Sequence, residues 1–301
     1  MQTFAYKKVK ISNKPIMNNN KFLSVLFLAP ALLLIFAMTI IPIVIAFNTS
    51  LHETNYAQIG DFIGLKHYRD IFGSEAGWKS ILNSFAYVLC SLMIVIPVGI
   101  VAAVLLNRKI KSRALLRTLI IIPWVLSQTV TALLWRWLLN SSFGPVSYIG
   151  YLLTGNKLDF FNTPIMAKLT VIFVNAWNSF PIVLILILAS LQNIGREIFE
   201  AADVDGANRK TKFFRIILPL IKPTILTAIV LQSMEYFNMV TLIYVLTAGG
   251  PFGATQTVSV LAFMEGFDYW HMGFGSAASI VIFLMNMILS IIYIRILRSK
   301  D

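Results

Sequence analysis

Arg196–Pro223 reads REIFEAADVDGANRKTKFFRIILPLIKP, and its interpretation governs the rest of the chain. It lies between two long apolar segments and mixes acids and bases more densely than any other stretch. Glu197, Glu200, Asp203 and Asp205 stand among Arg196, Arg209, Lys210, Lys212, Arg215 and Lys222. The pattern predicts helix across Glu200–Ala202, a tight turn at Gly206 and a second short helix capped by Thr211. Pro219 and Pro223 mark the start of the next apolar run. A charged helix–turn–helix held at a membrane surface calls for a partner.

The flanking sequence supplies that membrane. Across 301 residues, 57% are hydrophobic and 13% charged, and the mean hydropathy of +0.77 excludes an ordinary soluble domain. A net charge of +12 is compatible with nucleic-acid binding in principle. The basic residues, however, cluster beside apolar runs and form no patch interleaved with aromatics, so nucleic acid is not an expected partner. The single cysteine, Cys90, sits inside an apolar run, and His52, His67 and His271 are scattered. No intrachain disulfide or clustered metal site is expected.

Met1–Lys21 is polar and reads as a cytoplasmic tail, followed by a membrane domain over 22–301. A helix needs about 20 residues to cross a bilayer. Phe22–Ser50 carries no charge and reads as a retained first span. Ile81–Leu106, Thr118–Trp135, Leu169–Leu191, Thr224–Val245 and Met272–Ile294 complete a six-span, all-α integral membrane protein. Lysines of the tail, Arg108–Arg117, the loop at about 192–222, and Arg295, Arg298 and Lys300 hold most of the 25 basic residues. These segments share one side, so both termini and the charged loop are expected to be cytoplasmic. Trp78, Trp135, Trp137, Tyr269 and Trp270 lie near span ends and read as interfacial anchors. Gly249 and Gly250 in LTAGGP permit a left-handed stop to the fifth span. Gly273, Gly275, Ser276 and Ala277 read as a close-packing surface at the start of the sixth.

Glu200, Ala201, Ala202, Asp205, Gly206, Ala207, Phe213, Ile216, Leu218 and Pro219 keep a fixed spacing. It resembles the EAA motif of inner-membrane permeases of ABC importers, specifically the carbohydrate-uptake (maltose-type) group. Gly64–Phe72 (GLKHYRDIF) is similar to a second segment of that family, with His67 where Asn is common, and TAGGP to a third. The resemblance implies the six-helix type I importer permease fold. It also implies that Glu200, Ala201, Ala202, Asp205 and Gly206 form a coupling helix docking on a separate ATPase. The implied partners are a second permease, an ATPase dimer binding ATP and Mg, and an extracytoplasmic solute-binding protein. The implied location is a bacterial-type cytoplasmic membrane.

A substrate site is sought among polar residues inside the spans. Glu235 stands near the middle of Thr224–Val245, where a charge costs roughly 2.5–3.5 kcal/mol on insertion scales. Gln232, Glu235 and Asn238 recur every third residue on one helix face, bordered by Tyr236 and Met239. Asn175, Trp177, Asn178 and Ser179 provide a counterpart in the fourth span. Amides and carboxylates bind sugar hydroxyls, and aromatic faces cover their C–H surfaces. The resemblance likewise implies a mid-membrane site on the helices flanking the EAA loop. The competing reading is interhelical hydrogen bonding that only holds the bundle.

No GxxxxGK[ST] loop occurs, so ATP hydrolysis is not expected of this chain and no cofactor of its own is implied. The expected function is the permease of an ATP-driven importer for a sugar or oligosaccharide. Glycerol phosphate and polyamines are alternative solutes. A cation-coupled secondary transporter using Glu235 is the rival class, and it leaves the EAA spacing unexplained.

Overall fold

The computed structural model describes residues 19–56, 58–108 and 113–298. The expected tail, Met1–Lys21, falls outside this range except for its last three residues, which are already helical. Lys109, Lys111 and Lys300 also lie outside the described residues. The chain divides into two units, Met1–Ala46 and Phe47–Asp301.

The first unit carries α1 (Asn19–Ile35), a π-helical turn at Phe36–Ile40 and the start of α2 (Ile41–Ser50). Its described side chains are exposed or half-exposed, and they are almost wholly apolar. A helix apolar all round matches a lipid environment.

The second unit opens with a hairpin absent from the sequence reading: β1 (His52–Asn55) pairs antiparallel with β2 (Gln58–Phe62). Then come α3 (Lys66–Gly73) and α4 (Glu75–Leu106), capped by Ser74 through its bond from the Gly77 N–H. Next are α5 (Arg113–Val125), α6 (Gln128–Leu138), α7 (Pro145–Thr154) and α8 (Pro164–Gln192). Then follow α9 (Arg196–Val204), α10 (Arg209–Thr211), a π turn at Lys212–Ile217 and α11 (Leu218–Phe237). The unit ends with α12 (Thr241–Thr247), α13 (Val258–Phe263), a π turn at Met264–Asp268 and α14 (Met272–Arg298).

The core lies where α4, α8 and α11 meet, around Val95, Val174, Val183, Ile187, Ile221 and Tyr236. Gly99 on α4 permits the closest approach: a Cβ there would stand 2.6 Å from Cγ1 of Val183 on α8. The small residues opening α14 do pack closely. A Cβ on Gly275 would lie 2.9 Å from the Ala262 carbonyl oxygen, and the Gly273 N–H donates to Thr54 Oγ1 in the hairpin at 2.9 Å.

Among the described residues, five helices are long and apolar enough to span a membrane, and a bent pair makes a sixth if it is counted as one span. That pair corrects the straight third span expected at Thr118–Trp135: Leu115–Val125 and Gln128–Leu138 meet at 97°. Ser127 turns extended and starts a new helix by accepting the Val130 N–H at 3.3 Å. The fifth run is also broken. Its helix stops at Phe237 because Asn238 turns out of helical geometry and its amide donates to the Met234 carbonyl at 2.6 Å.

Two smaller expectations are corrected. Pro219 and Pro223 do not open the fifth span, since helix begins at Arg209. The π turn routes the Leu218 N–H to the Phe213 carbonyl just before Pro219, which has no N–H to give. The left-handed residue ending α12 is Ala248 (φ 49°), followed by Gly249 (φ 78°), whereas Gly250 is not left-handed. Trp135 packs at the bend against Phe173 and Trp177, at 5.1 and 5.4 Å between centroids.

Candidate functional site

The charged loop between α8 and α11 folds as two helices around a tight turn. Acidic Glu197 occupies the first turn of α9, where it complements the helix dipole. The helix then ends in a Schellman arrangement. The Ala207 N–H bonds the Ala202 carbonyl at 2.9 Å, the Gly206 N–H bonds Asp203 at 3.1 Å, and Gly206 takes φ 70°. Asn208, not Thr211, caps the following helix: its Oδ1 accepts from the Thr211 N–H at 2.8 Å and the Thr211 hydroxyl at 3.0 Å. Asp203 and Lys212 form an ion pair across the turn. Of α9, only Ala202 is buried. Glu200, Ala201, Asp205 and Gly206 are exposed, as are Ile198 and Val204.

The polar residues of the two flanking helices divide into two sets. Inside the bundle, the Ser179 hydroxyl lies 2.7 Å from that of Tyr236, which accepts from Gln232 Nε2 at 2.8 Å. Tyr87 packs its ring 6.0 Å from Tyr236 and donates to Met239 Sδ at 2.9 Å. Tyr236 and Asn175 are fully buried, and both side-chain atoms of Asn175 lack a hydrogen-bond partner.

Asn178, also buried, holds the 97° bend. Its Nδ2 donates to the Pro123 carbonyl at 2.6 Å and to Thr131 Oγ1 at 3.2 Å. Because α5 ends at Val125, Pro123 receives no backbone N–H from the next turn, and Asn178 replaces it. Trp177 is half-buried against Trp135.

Glu235 and Asn238 form the second set, and both are exposed. The three-residue stripe therefore straddles a boundary, because each step of three turns about 60° backwards and separates Gln232 from Asn238 by about 120°. Glu235 makes no hydrogen bond or ion pair among the described residues. Sequence reasoning missed Asn286, whose Nδ2 lies 3.4 Å from Asn238 Oδ1. The signal was available: it is an amide in the middle of the apolar 27-residue α14. No cluster of side chains that could hold a metal ion occurs among the described residues.

A helical bundle with a broken third crossing, a polar seam and an exposed charged helix at one connection defines a membrane permease. Residues 95–300 match the family described as the binding-protein-dependent transport system inner membrane component, and the chain belongs to that family. It is 33% identical to a trehalose/maltose transport system permease protein of Thermococcus litoralis, across 92% of this chain and 94% of that one. It is 30% identical to a trehalose transport system permease protein of Mycobacterium tuberculosis, across 91% and 88%. A sulfoquinovosyl glycerol transport system permease protein of Agrobacterium fabrum is 29% identical over 94% and 92%. Among solved structures, a chain of a bacterial ABC transporter importing alginate superposes with a TM-score of 0.79 at 22% identity, covering 94% and 97%. The fold is thus that of an ABC importer permease, an inner-membrane component whose family role is transport.

Proposed function

We propose that the chain is the permease subunit of an ATP-driven importer for a sugar or oligosaccharide, working with a second permease, two ATPase subunits and an extracytoplasmic binding protein. The observation that carries this reading is the exposed α9 and its Schellman turn. It presents Ile198 and Val204 with Glu200 and Asp205 outside the bundle, at the connection between the two most polar spans. Such a helix has no internal role to explain its exposed apolar residues, and it fits a groove on an ATPase. The carbohydrate assignment draws support from relatives named for trehalose, maltose and sulfoquinovosyl glycerol.

In this reading residues 1–21 are a cytoplasmic tail, 22–301 form the permease domain and about 192–222 form the coupling loop. Both termini face the ATPase side, where the basic residues concentrate. ATP and Mg bind the ATPase, whose closure moves α9 and through it α8 and α11. Glu235 and Asn238 then offer hydrogen bonds to a passing polyol, while Asn175, Trp177, Asn178, Ser179, Gln232, Tyr236 and Met239 shape the wall behind them.

The test is uptake of radiolabelled trehalose and maltose into proteoliposomes holding the assembled complex. Uptake is expected only with ATP and binding protein together, and the isolated chain is expected to hydrolyse no ATP. Gradient-driven sugar uptake by the chain alone, without ATP, overturns the proposal.

A further inference from the structure

An open cleft of about 630 Å³ lies between the end of α11, α13 and α14. Asn238 of α11 and Asn286 of α14 meet in it, and Ser259, Ser279 and Ser290 add hydroxyls. Phe263, Phe267 and Phe283 contribute aromatic surface, and no acidic or basic side chain lines the cleft.

The polarity of the cleft is one-sided. Asn286 Nδ2 directs its protons to the Ile282 carbonyl at 3.1 Å and to Asn238 Oδ1. Ser259, Ser279 and Ser290 donate theirs to the carbonyls of Met239, Gly275 and Asn286, at 3.0, 2.9 and 2.8 Å. What remains is mostly acceptors, beside the second Nδ2 proton of Asn238, whose first goes to the Met234 carbonyl. The strongest is Asn286 Oδ1, an amide oxygen on a residue only 9% exposed that receives no hydrogen bond. A buried acceptor left empty costs free energy, so the site is incomplete without a donor.

We propose that this cleft is a subsite for an uncharged polyol on the translocation path, and that Asn286 is its specificity residue. This rests on the sugar-importer reading above. The ligand chemistry follows from the lining: the acceptors require O–H donors, and the absence of charged side chains disfavours phosphate esters and polyamines. The three phenylalanines offer faces to the C–H surface of a sugar ring. An acyl chain would fill the volume and leave Asn286 Oδ1 empty.

The experiment uses the complete complex in proteoliposomes with trehalose as the probe. Asn286→Leu is expected to reduce trehalose binding and uptake at least ten-fold, while ATPase activity stimulated by sugar-free binding protein stays at the wild-type rate. Asn286→Asp, which keeps an acceptor, is expected to recover most of the loss. In a Cys90→Ser background, Ser279→Cys, at an exposed position of the cleft lining, is expected to react with a water-soluble maleimide and to be protected by trehalose.

Unchanged trehalose binding in Asn286→Leu overturns the proposal. So does an unreactive Ser279→Cys in the assembled complex, which assigns the cleft to contact with a partner subunit. Phospholipid retained by the wild type and lost from Asn286→Leu, with sugar binding intact, makes it a lipid site instead. Failure of wild-type uptake removes the importer reading itself and is separable from all three.

Discussion

Replacing Asn178 with Leu tests whether this residue braces the bend or contacts the solute. The substitution preserves volume and removes both donors, stranding the Pro123 carbonyl and the buried Thr131 hydroxyl. In a soluble core each unsatisfied group would cost about 1–3 kcal/mol. Side-chain hydrogen bonds between membrane helices are weaker, averaging about 0.6 kcal/mol with a maximum near 1.7. The Pro123 bond belongs at the upper end of that range, since it is short, at 2.6 Å, and no backbone N–H competes for the carbonyl. The Thr131 contact, at 3.2 Å, belongs near the average. The expected total is about 2 kcal/mol for Asn178→Leu and about 0.5 kcal/mol for Thr131→Val, from the same membrane-helix range. Reversible unfolding in mixed micelles, followed by tryptophan fluorescence, reads both values, because the bend carries Trp135 onto Trp177. Wild-type stability in Asn178→Leu, with substrate-stimulated ATPase activity of the complex abolished, refutes the bracing role and makes Asn178 a ligand.

Three further substitutions separate coupling, packing and recognition. Gly206→Val forces a β-branched residue into φ 70°, at about 1–2 kcal/mol; uptake should collapse while membrane insertion, judged by expression of the folded chain, persists. Nothing lies within 4 Å of the added Cβ, so backbone strain alone must produce that effect. Gly99→Leu drives side-chain atoms into Val183 and should destabilise the α4–α8 contact by about 1–3 kcal/mol in the same unfolding assay. Glu235→Gln keeps shape but weakens an acceptor; a bond to a charged group is worth about 1.5–3 kcal/mol, so uptake should weaken roughly ten-fold. Basal ATPase activity of the complex should persist, and unaltered sugar preference would make Glu235 structural.

Hydropathy and spacing made the long elements legible because the constraint behind them is strong. In lipid each span must satisfy its own backbone, so an uninterrupted apolar run has few alternatives to helix. Phe22–Ser50, Ile81–Leu106, Leu169–Leu191 and Met272–Ile294 all fall within helices. The breaks escaped because they depend on partners distant in sequence. Pro123 alone does not specify a right angle; the bend also needs Ser127 as a cap and Asn178, 55 residues on, to take the freed carbonyl. The hairpin escaped for a similar reason: HETN and QIGDF lack apolar alternation, and their support comes from α14, where the Gly273 N–H meets Thr54.

The break after Phe237 sharpens the division of labour among the polar residues of the fifth run. Helical drift alone already turns Asn238 about 120° from Gln232. Because α11 stops there, Met239 turns inward beneath Tyr87 while Asn238 turns outward to Asn286. Gln232 is tied through Tyr236 to Ser179 on α8, the helix that leads directly to the charged loop. Under the proposed function, displacement of α9 would reach α8 and α11 together through this buried hydrogen-bonded joint. Glu235 and Asn238 ride on the open face of the same helix, next to the acceptors of α14. Tyr236→Phe deletes the joint and leaves that face intact. It should weaken the link between ATP hydrolysis and uptake, raising the ATP consumed per sugar delivered, without altering which sugars bind. Equal stoichiometry in wild type and variant, measured as ATP hydrolysed against trehalose accumulated in the same vesicles, would show that movement reaches the open face by another route.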